Sequence, residues 1–379
     1  MLSAPRRVLV AGTLISLALG AAACGGSSGG GSASGGSSTA TSGGGGGGAG
    51  GKNCKIALLL PESKTTRYEA ADRPDFVNKV KQIDPNCTVD YFNANQDANQ
   101  QQSQAQTALT KGDKVLVLDA VDGKAAANIV NQAKQQNVPV LAYDRLASGP
   151  VAYYVSFDNM KVGQLQGQAL VDAMKKDGAQ PGAQIIMVNG SPTDPNAGQF
   201  KAGAHSVIDN SGFKVAKEYD TPNWDPTAAR SEVTAAIQAV GKDKVKGVYV
   251  ANDGMAAGAV AALQAAGVSP LPPVTGQDAQ LDGIQRVLAG QQAVTIYKAI
   301  KPEAEKAAEV AVKLAAGQQV QGDTTVKNDT GDTVQATLLT PVAVTRDNVK
   351  DTVIKDAFLS ASQICTGQYK SFCAQFGVG

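Results

Sequence analysis

Polar and charged side chains follow short apolar runs at several places in the chain, and each of these places could bind a ligand. The segments are Tyr143-Asp144-Arg145, Asp158-Asn159, Asn252-Asp253 and Gln277-Asp278. Carboxylate and amide groups exchange hydrogen bonds with adjacent hydroxyls, and guanidinium and ammonium groups donate them. These residue types predict a site for a ligand rich in hydroxyl groups.

Aromatic side chains could serve the apolar C–H face of such a ligand. Trp224 is the only tryptophan, and it lies in Pro222-Asn223-Trp224-Asp225-Pro226, which indicates a rigid polar loop rather than a core strand. Tyr68 is a second candidate for stacking. The candidate hydrogen-bonding residues are Arg67, Arg145, Asp158, Asn252, Asp278 and Lys298. Together the two sets are typical of a sugar-binding site.

Each candidate also has a purely structural interpretation. Arg145 could pair with Asp144 on the surface, and Asn252 or Asp278 could cap the helix or turn that follows it. Lys298 could extend its ammonium group to water. The position of most candidates directly after apolar runs favours binding.

The elements that would position these residues alternate between strands and helices from Lys52 onward, as expected for parallel sheets covered on both faces. The predicted strands of the first half are Lys55 to Leu60, Val89 to Phe92, Val115 to Asp119, Val138 to Ala142 and Tyr153 to Ser156. A second series of strands is predicted at Gln184 to Val188, Lys214 to Tyr219, Gly247 to Ala251 and Pro273 to Gly276. This pattern predicts two α/β lobes with a cleft between them. The polar segments lie at the carboxyl ends of strands, where such sheets bind ligands.

A sugar-active enzyme is the main alternative class. A glycosidase needs an acid with a raised pKa, and an isomerase usually needs metal ligands, whereas the chain has a single histidine, His205. Acidic candidates beside basic ones are expected to stay ionised. We therefore predict binding without catalysis and without a cofactor or metal.

The net charge excludes a broad electrostatic surface for nucleic acid or acidic membranes. Lys and Arg number 34 and Asp and Glu 33, a formal net charge of +1. A partner that is neutral or recognised locally is expected.

The first 51 residues read as export and anchoring signals. Residues 1–23 contain two adjacent arginines, then a short apolar run and finally three consecutive alanines, the pattern of a signal peptide. Cys24 then stands at a lipoprotein processing site, with simple secretion as the alternative. Residues 24–51 are rich in Gly and Ser and predict a flexible tether to the outer face of the membrane.

Four further cysteines suit an oxidising exterior. Cys54 and Cys87 open the first two predicted strands, which favours a bridge between them, and Cys365 and Cys373 are close enough in sequence to close the C-terminal tail. Three pairings are possible for four cysteines, and free thiols are the alternative.

Several segments occur in the order found in bacterial xylose-binding proteins, so the chain from about Lys55 to Asn348 resembles that family. They are Tyr143-Asp144-Arg145, Ser156-Phe157-Asp158-Asn159, Gly190-Ser191-Pro192 with Asn196, Ala251-Asn252-Asp253, Gly276-Gln277-Asp278-Ala279 and Tyr297-Lys298. The resemblance implies the type I periplasmic binding protein fold, with two doubly wound parallel-sheet lobes joined by a three-segment hinge. The expected lobes are residues 53–156 plus 296–336 and residues 157–295 plus 337–379.

The resemblance also implies a function and a set of contacts. We expect a monomeric receptor that closes on one monosaccharide, with xylose favoured over glucose, arabinose or ribose, and docks onto the membrane permease of an ABC importer. The implied sugar contacts are Arg67, Tyr68, Arg145, Asp158, Asn196, Trp224, Asn252, Asp278 and Lys298. Tyr68 stands where the family usually has Trp, and Ala299 where it has Pro. A transcription factor of the lac-repressor type shares the fold but would carry an N-terminal helix-turn-helix, in place of which this chain has a signal and a Gly/Ser tract.

Overall fold

The computed structural model describes residues 54–379. The predicted signal peptide, the lipidation site Cys24 and the tether lie outside these residues. Between residues 54 and 379, no helix is both long and apolar enough to cross a membrane.

Strands and helices alternate through most of this part of the chain. The strands are β1 (Lys55–Leu60), β2 (Thr88–Asn93), β3 (Val115–Leu118), β4 (Val140–Tyr143), β5 (Tyr153–Phe157), β6 (Gln184–Asn189), β7 (Lys214–Asp220), β8 (Val245–Val250), β9 (Thr295–Tyr297), β10 (Thr324–Lys327), β11 (Thr333–Leu339) and β12 (Val342–Val344). The helices are α1 (Arg73–Ile83), α2 (Ala98–Lys111), α3 (Ala127–Gln135), α4 (Asn159–Lys176), α5 (Pro195–Ile208), α6 (Pro226–Val240), α7 (Asp253–Ala265), α8 (Leu281–Leu288), α9 (Ile300–Ala315), α10 (Ala361–Ile364) and α11 (Lys370–Gln375).

The first lobe is built on a seven-stranded sheet in the order β10-β11-β5-β4-β3-β1-β2. All neighbours are parallel except β10 and β11. Side chains alternate between the two faces of the sheet: Ile56 and Leu58 of β1 pack in the core that includes α1 and α9, and Ala57 and Leu59 pack in the core that includes α2 and α3. Burial on both faces explains the continuous apolar runs in the sequence.

The second lobe has a parallel sheet in the order β7-β6-β8 and an antiparallel ribbon of β9 and β12. Its helices pack in pairs, α4 with α5 and α6 with α7, around one core. The predicted strand from 273 to 276 is wrong: the segment makes only an isolated bridge from Val274 to Val248. The hydroxyl of Thr275 bonds the N–H and C=O of Val250 in place of a continued ladder.

Three segments join the lobes. They follow β5, connect β9 to α9 and connect β11 to β12. The first and third lie side by side, since the Asp158 N–H donates to the Leu339 carbonyl over 2.9 Å. Helix α9 then packs against α1 and the first sheet, so the chain returns to the first lobe after building most of the second.

Two disulfides close the ends of the described chain. Cys54 and Cys87 are bonded at the start of β1 and before β2, with 4.5 Å between their Cα atoms. Cys365 and Cys373 are bonded with 5.8 Å between Cα atoms. Cys373 and Ile364 of the tail belong to a fourth core with α8 and Tyr297, so the tail is part of the packed structure.

Glycines allow α4 and α5 to approach closely. A Cβ at Gly203 would collide with the Met160 carbonyl oxygen, and a Cβ at Gly163 with the Phe200 carbonyl oxygen. A Cβ at Gly198, also in α5, would meet nothing within 4 Å.

We predict that Gly203→Ala lowers the free energy of unfolding by about 1 to 3 kcal/mol, while Gly198→Ala raises it by about 0.5 to 1 kcal/mol through helix propensity. Urea unfolding of both variants measures the contrast, and effects of the same sign would contradict the packing described.

Candidate functional site

A small cavity lies between the two lobes. Its walls come mainly from loops at the carboxyl ends of strands, as expected for parallel sheets. The lining residues are Thr65, Arg67, Tyr68, Asp144, Arg145, Asp194, Asn196, Phe200, Trp224, Asn252, Gln277, Asp278 and Lys298. The first lobe therefore provides the residues up to Arg145, the second lobe those from Asp194 to Asp278, and a connecting segment provides Lys298.

The cavity brings together all but one of the sugar contacts expected from the sequence. The residues that meet there are Arg67, Tyr68, Arg145, Asn196, Trp224, Asn252, Asp278 and Lys298. The assignment of Asp158 is corrected, because this side chain is exposed and accepts a hydrogen bond from the Lys161 N–H over 2.9 Å. It caps α4, whose first N–H groups have no partner within the helix.

Arg67 is held rigidly by buried carboxylates behind the cavity. Its Nε and Nη2 donate to the two oxygens of Asp72 over 3.0 and 2.6 Å, and Nη2 also donates to Glu303 Oε2 over 2.9 Å. Its Nη1 lies 3.7 Å from Asp144 Oδ2. Burial lowers the pKa of Arg67, but the acidic neighbours outweigh it and raise the pKa. The guanidinium is therefore a charged, preorganised group in the cavity wall.

Asp144 lies between two cations of the cavity. Its Oδ1 is 3.7 Å from Lys298 Nζ, and its Oδ2 is 3.7 Å from Arg67 Nη1. Burial alone would raise the pKa of Asp144, but Lys298, Arg67 and Arg145 reverse the effect and hold the pKa at about 2. Asp144 remains a carboxylate and neutralises part of the positive charge around it.

Arg145 connects the lobes. Its Nε lies 2.8 Å from Asp194 Oδ2 in the second lobe and 3.4 Å from Asp119 Oδ1 in the first. Its Nη groups donate to the Ala120 carbonyl and the Tyr68 hydroxyl. The arginine is 3% exposed, which rules out a surface pair.

Trp224 forms an apolar wall of the cavity. Its indole Nε1 donates to Asp194 Oδ2 over 3.1 Å, and its ring packs edge-on against Phe200 with 6.3 Å between centroids. The ring lies against Gly190, where a Cβ would collide with it. Asp194 thus orients both the tryptophan and Arg145.

Asn252, Asp278 and Lys298 complete the far side. Asn252 Oδ1 accepts from the Met255 N–H over 2.9 Å and so caps α7, while the residue also lines the cavity. Lys298 Nζ lies 3.5 Å from Asp278 Oδ1. Lys298 is 3% exposed, so it does not extend to water, and Asp278 Oδ1 is buried with no hydrogen-bond partner among residues 54–379.

Five lining residues were not among the predicted contacts, namely Thr65, Asp144, Asp194, Phe200 and Gln277. Asp194 caps α5 by accepting from the Asn196 N–H over 2.8 Å. Asp194-Pro195 is typical of a helix start, and that signal alone gives no sign of a ligand site. Among residues 54–379, no cluster of histidine, cysteine and acidic side chains could hold a metal ion.

Residues 56–319 match the periplasmic binding protein domain. The chain belongs to the periplasmic binding protein family.

Relatives within this family agree over most of the chain. The D-xylose-binding periplasmic proteins of Escherichia coli and Haemophilus influenzae are 38% and 36% identical, each over 83% of this chain and over 93% and 92% of their own lengths. A solved structure, an ABC transporter solute-binding protein from Clostridium phytofermentans with bound β-D-glucose, is 26% identical with a TM-score of 0.75, covering 82% of this chain and 99% of its own. These relatives are binding proteins, and this periplasmic binding protein is likewise not an enzyme. The expected fold, type I with two α/β lobes, is confirmed.

The lowered pKa of Asp144 predicts a pH-dependent contribution to stability. A carboxylate whose pKa is lower in the folded state stabilises above its unfolded pKa of about 3.9 and loses this contribution as pH falls toward 2. We expect Asp144→Asn to unfold more easily than the wild type at pH 6, and the gap in unfolding free energy to shrink by about 1 kcal/mol at pH 3. Urea unfolding at several pH values measures this gap, and a gap independent of pH would contradict the assignment.

Proposed function

We propose that this periplasmic binding protein captures a neutral monosaccharide, with D-xylose as the first candidate, and delivers it to the membrane permease of an ABC importer. The observation that carries the proposal is a small cavity between two lobes with balanced charges. Its lining contains three basic residues, Arg67, Arg145 and Lys298, and three acidic ones, Asp144, Asp194 and Asp278, whose formal charges balance.

The balance of charges favours a neutral ligand over a sugar acid or phosphate. Each basic group already has a carboxylate within 4 Å: Asp144 for Arg67, Asp194 for Arg145 and Asp278 for Lys298. An anion that entered the cavity would lose its hydration shell. No unpaired basic group of this lining would compensate the lost hydration. Hydroxyl groups, in contrast, can donate to the carboxylates and accept from the basic groups at once.

The aromatic wall suits the apolar face of a sugar ring. Trp224 and Phe200 offer apolar surfaces for C–H groups. The E. coli and H. influenzae relatives are named for D-xylose, and the solved relative holds β-D-glucose, so xylose is our first candidate and glucose, arabinose or ribose are alternatives.

Closure of the lobes is the proposed mechanism. Contacts between the lobes include the hydrogen bond from the Gly123 N–H to the Thr193 carbonyl, 3.0 Å, and the ion pair of Lys64 with Asp225, 2.9 Å. A sugar that bonds to both lobes would favour this closed arrangement over an open one. The permease would then recognise the closed protein. We further propose that the protein acts as a monomer held at the outer membrane face through a lipid on Cys24.

Calorimetric titration against D-xylose, D-glucose, L-arabinose, D-ribose and D-glucuronate tests the function. We expect one neutral sugar to bind with 1:1 stoichiometry and glucuronate to bind more weakly than glucose. Xylose as the tightest ligand supports the specific proposal. Absence of binding to every neutral sugar would contradict the function.

A matched pair of variants tests the site. Asp278→Asn keeps the shape of the side chain and a residue type that tolerates positive φ, but removes the charge beside Lys298. We expect sugar affinity to fall about 10- to 150-fold, the loss of one hydrogen bond to a charged group. Asp158→Asn, at another strand end, should preserve both the helix cap and the affinity. Calorimetry compares the two, and equal effects would contradict the placement of the site.

A further inference from the structure

The turn that carries Asp278 has an unfavourable backbone conformation. Asp278 has φ of 92° and Ala279 has φ of 48°, and residues with a Cβ rarely adopt such values. Two in succession persist only where surrounding contacts impose them. The backbone here directs Asp278 into the cavity, so whatever holds the turn also positions this carboxylate.

Asp253 and Thr295 hold the turn from behind. The Gln280 N–H donates to Asp253 Oδ2 over 2.9 Å, and the Ala279 N–H donates to Thr295 Oγ1 over 3.1 Å. The Thr295 hydroxyl in turn donates to the same Asp253 oxygen over 2.9 Å. Both N–H groups that follow Asp278 therefore depend on this pair, which we call the Asp253–Thr295 clamp.

The clamp is itself fixed in position. Gln292 donates to Asp253 Oδ1 over 2.7 Å, and Arg286 donates to the Asp253 carbonyl over 2.7 Å. The carboxylate lies between Gly276 and Gly283, where a Cβ at either position would collide with it. Asp253 is fully buried, so little freedom remains for the groups that it binds.

The clamp also connects the turn that follows Asp278 to the strand that precedes Lys298, and these two residues form an ion pair. Thr295 lies in β9, three residues before Lys298, and Lys298 Nζ is 3.5 Å from Asp278 Oδ1. Neither Asp253 nor Thr295 lines the cavity. Any influence that they have on a bound sugar must therefore pass through Asp278 and its neighbours.

We propose that Asp253 and Thr295 are positioning residues that set sugar affinity by holding the turn at Asp278 and Ala279. This inference rests on the proposed sugar-binding function. Asp253 and Thr295 restrict Asp278 before the sugar binds, so Asp278 loses less conformational freedom on binding.

The test uses the full chain and calorimetric titration with the neutral sugar that the wild type binds. Thr295→Val keeps the shape but removes the hydroxyl, and we expect the Kd to rise about tenfold. Thr295→Ser restores the hydroxyl and should return the Kd to within about threefold of the wild type. Asp253→Asn replaces one accepting oxygen with an NH2 group, although Gln292, the Gln280 N–H and Thr295 all donate to this side chain. We expect this variant to weaken binding at least as much as Thr295→Val.

Thr337→Val is the matched control. Thr337 is also buried and its hydroxyl donates to a carboxylate, Asp323 Oδ2, over 2.7 Å, but it lies in β11 of the first lobe, outside the cavity lining. This variant should leave the Kd unchanged. A rise equal to that of Thr295→Val would overturn the inference, because any lost buried hydroxyl would then have the same effect.

A double-mutant cycle separates positioning from general damage. In the Asp278→Asn background, Thr295→Val should raise the Kd by less than about twofold, since the interaction that it positions is already weakened. An undiminished tenfold effect in that background would overturn the inference, as would an unchanged Kd in Thr295→Val alone. If Asp253→Asn fails to fold, the two Thr295 variants still decide. A wild type that binds no neutral sugar would overturn the proposed function and this inference together, whereas normal binding in the wild type with an insensitive Thr295 overturns only the clamp.

Discussion

The site depends on the pairing of buried charges across the gap between the lobes. Isolated ions are expensive to remove from water, and they persist in a protein interior only with close partners. Arg145 of the first lobe meets Asp194 of the second at 2.8 Å, and Asp144 lies 3.7 Å from Lys298 of a connecting segment. These two pairs add to those inside the first lobe, Arg145 with Asp119 and Asp144 with Arg67, and a neutral ligand leaves all of them intact.

The sheets determine where these charges can meet. In each lobe, the loops at the carboxyl ends of parallel strands face the cleft, so residues far apart in sequence, such as Arg67 and Asp278, line one cavity. The three connecting segments keep the lobes adjacent. Interfaces between domains of one chain commonly allow relative motion, as the proposed closure requires.

The strands β1 to β8 could be predicted from apolar runs, for example β6, predicted to end at Val188 and observed to end at Asn189, whereas β9 to β12 were not predicted. The side chains at strand ends were harder to judge. Asp158 and Asp194 both precede helices and both cap them, yet only Asp194 lines the cavity. Capping and ligand binding favour the same residue types at the same positions, so only the relative placement of the lobes distinguishes the two. The strand expected at residues 273–276 is absent for a different reason, since the hydroxyl of Thr275 takes the place of a backbone partner of Val250.

A crystal structure of the protein with D-xylose would show whether a sugar bridges the two lobes. We expect one sugar ring beside Trp224, with hydroxyl groups bonded to Arg145 of the first lobe and to Asn252 and Asp278 of the second. A sugar bound outside this cavity, or bonded to the residues of one lobe only, would contradict this expectation.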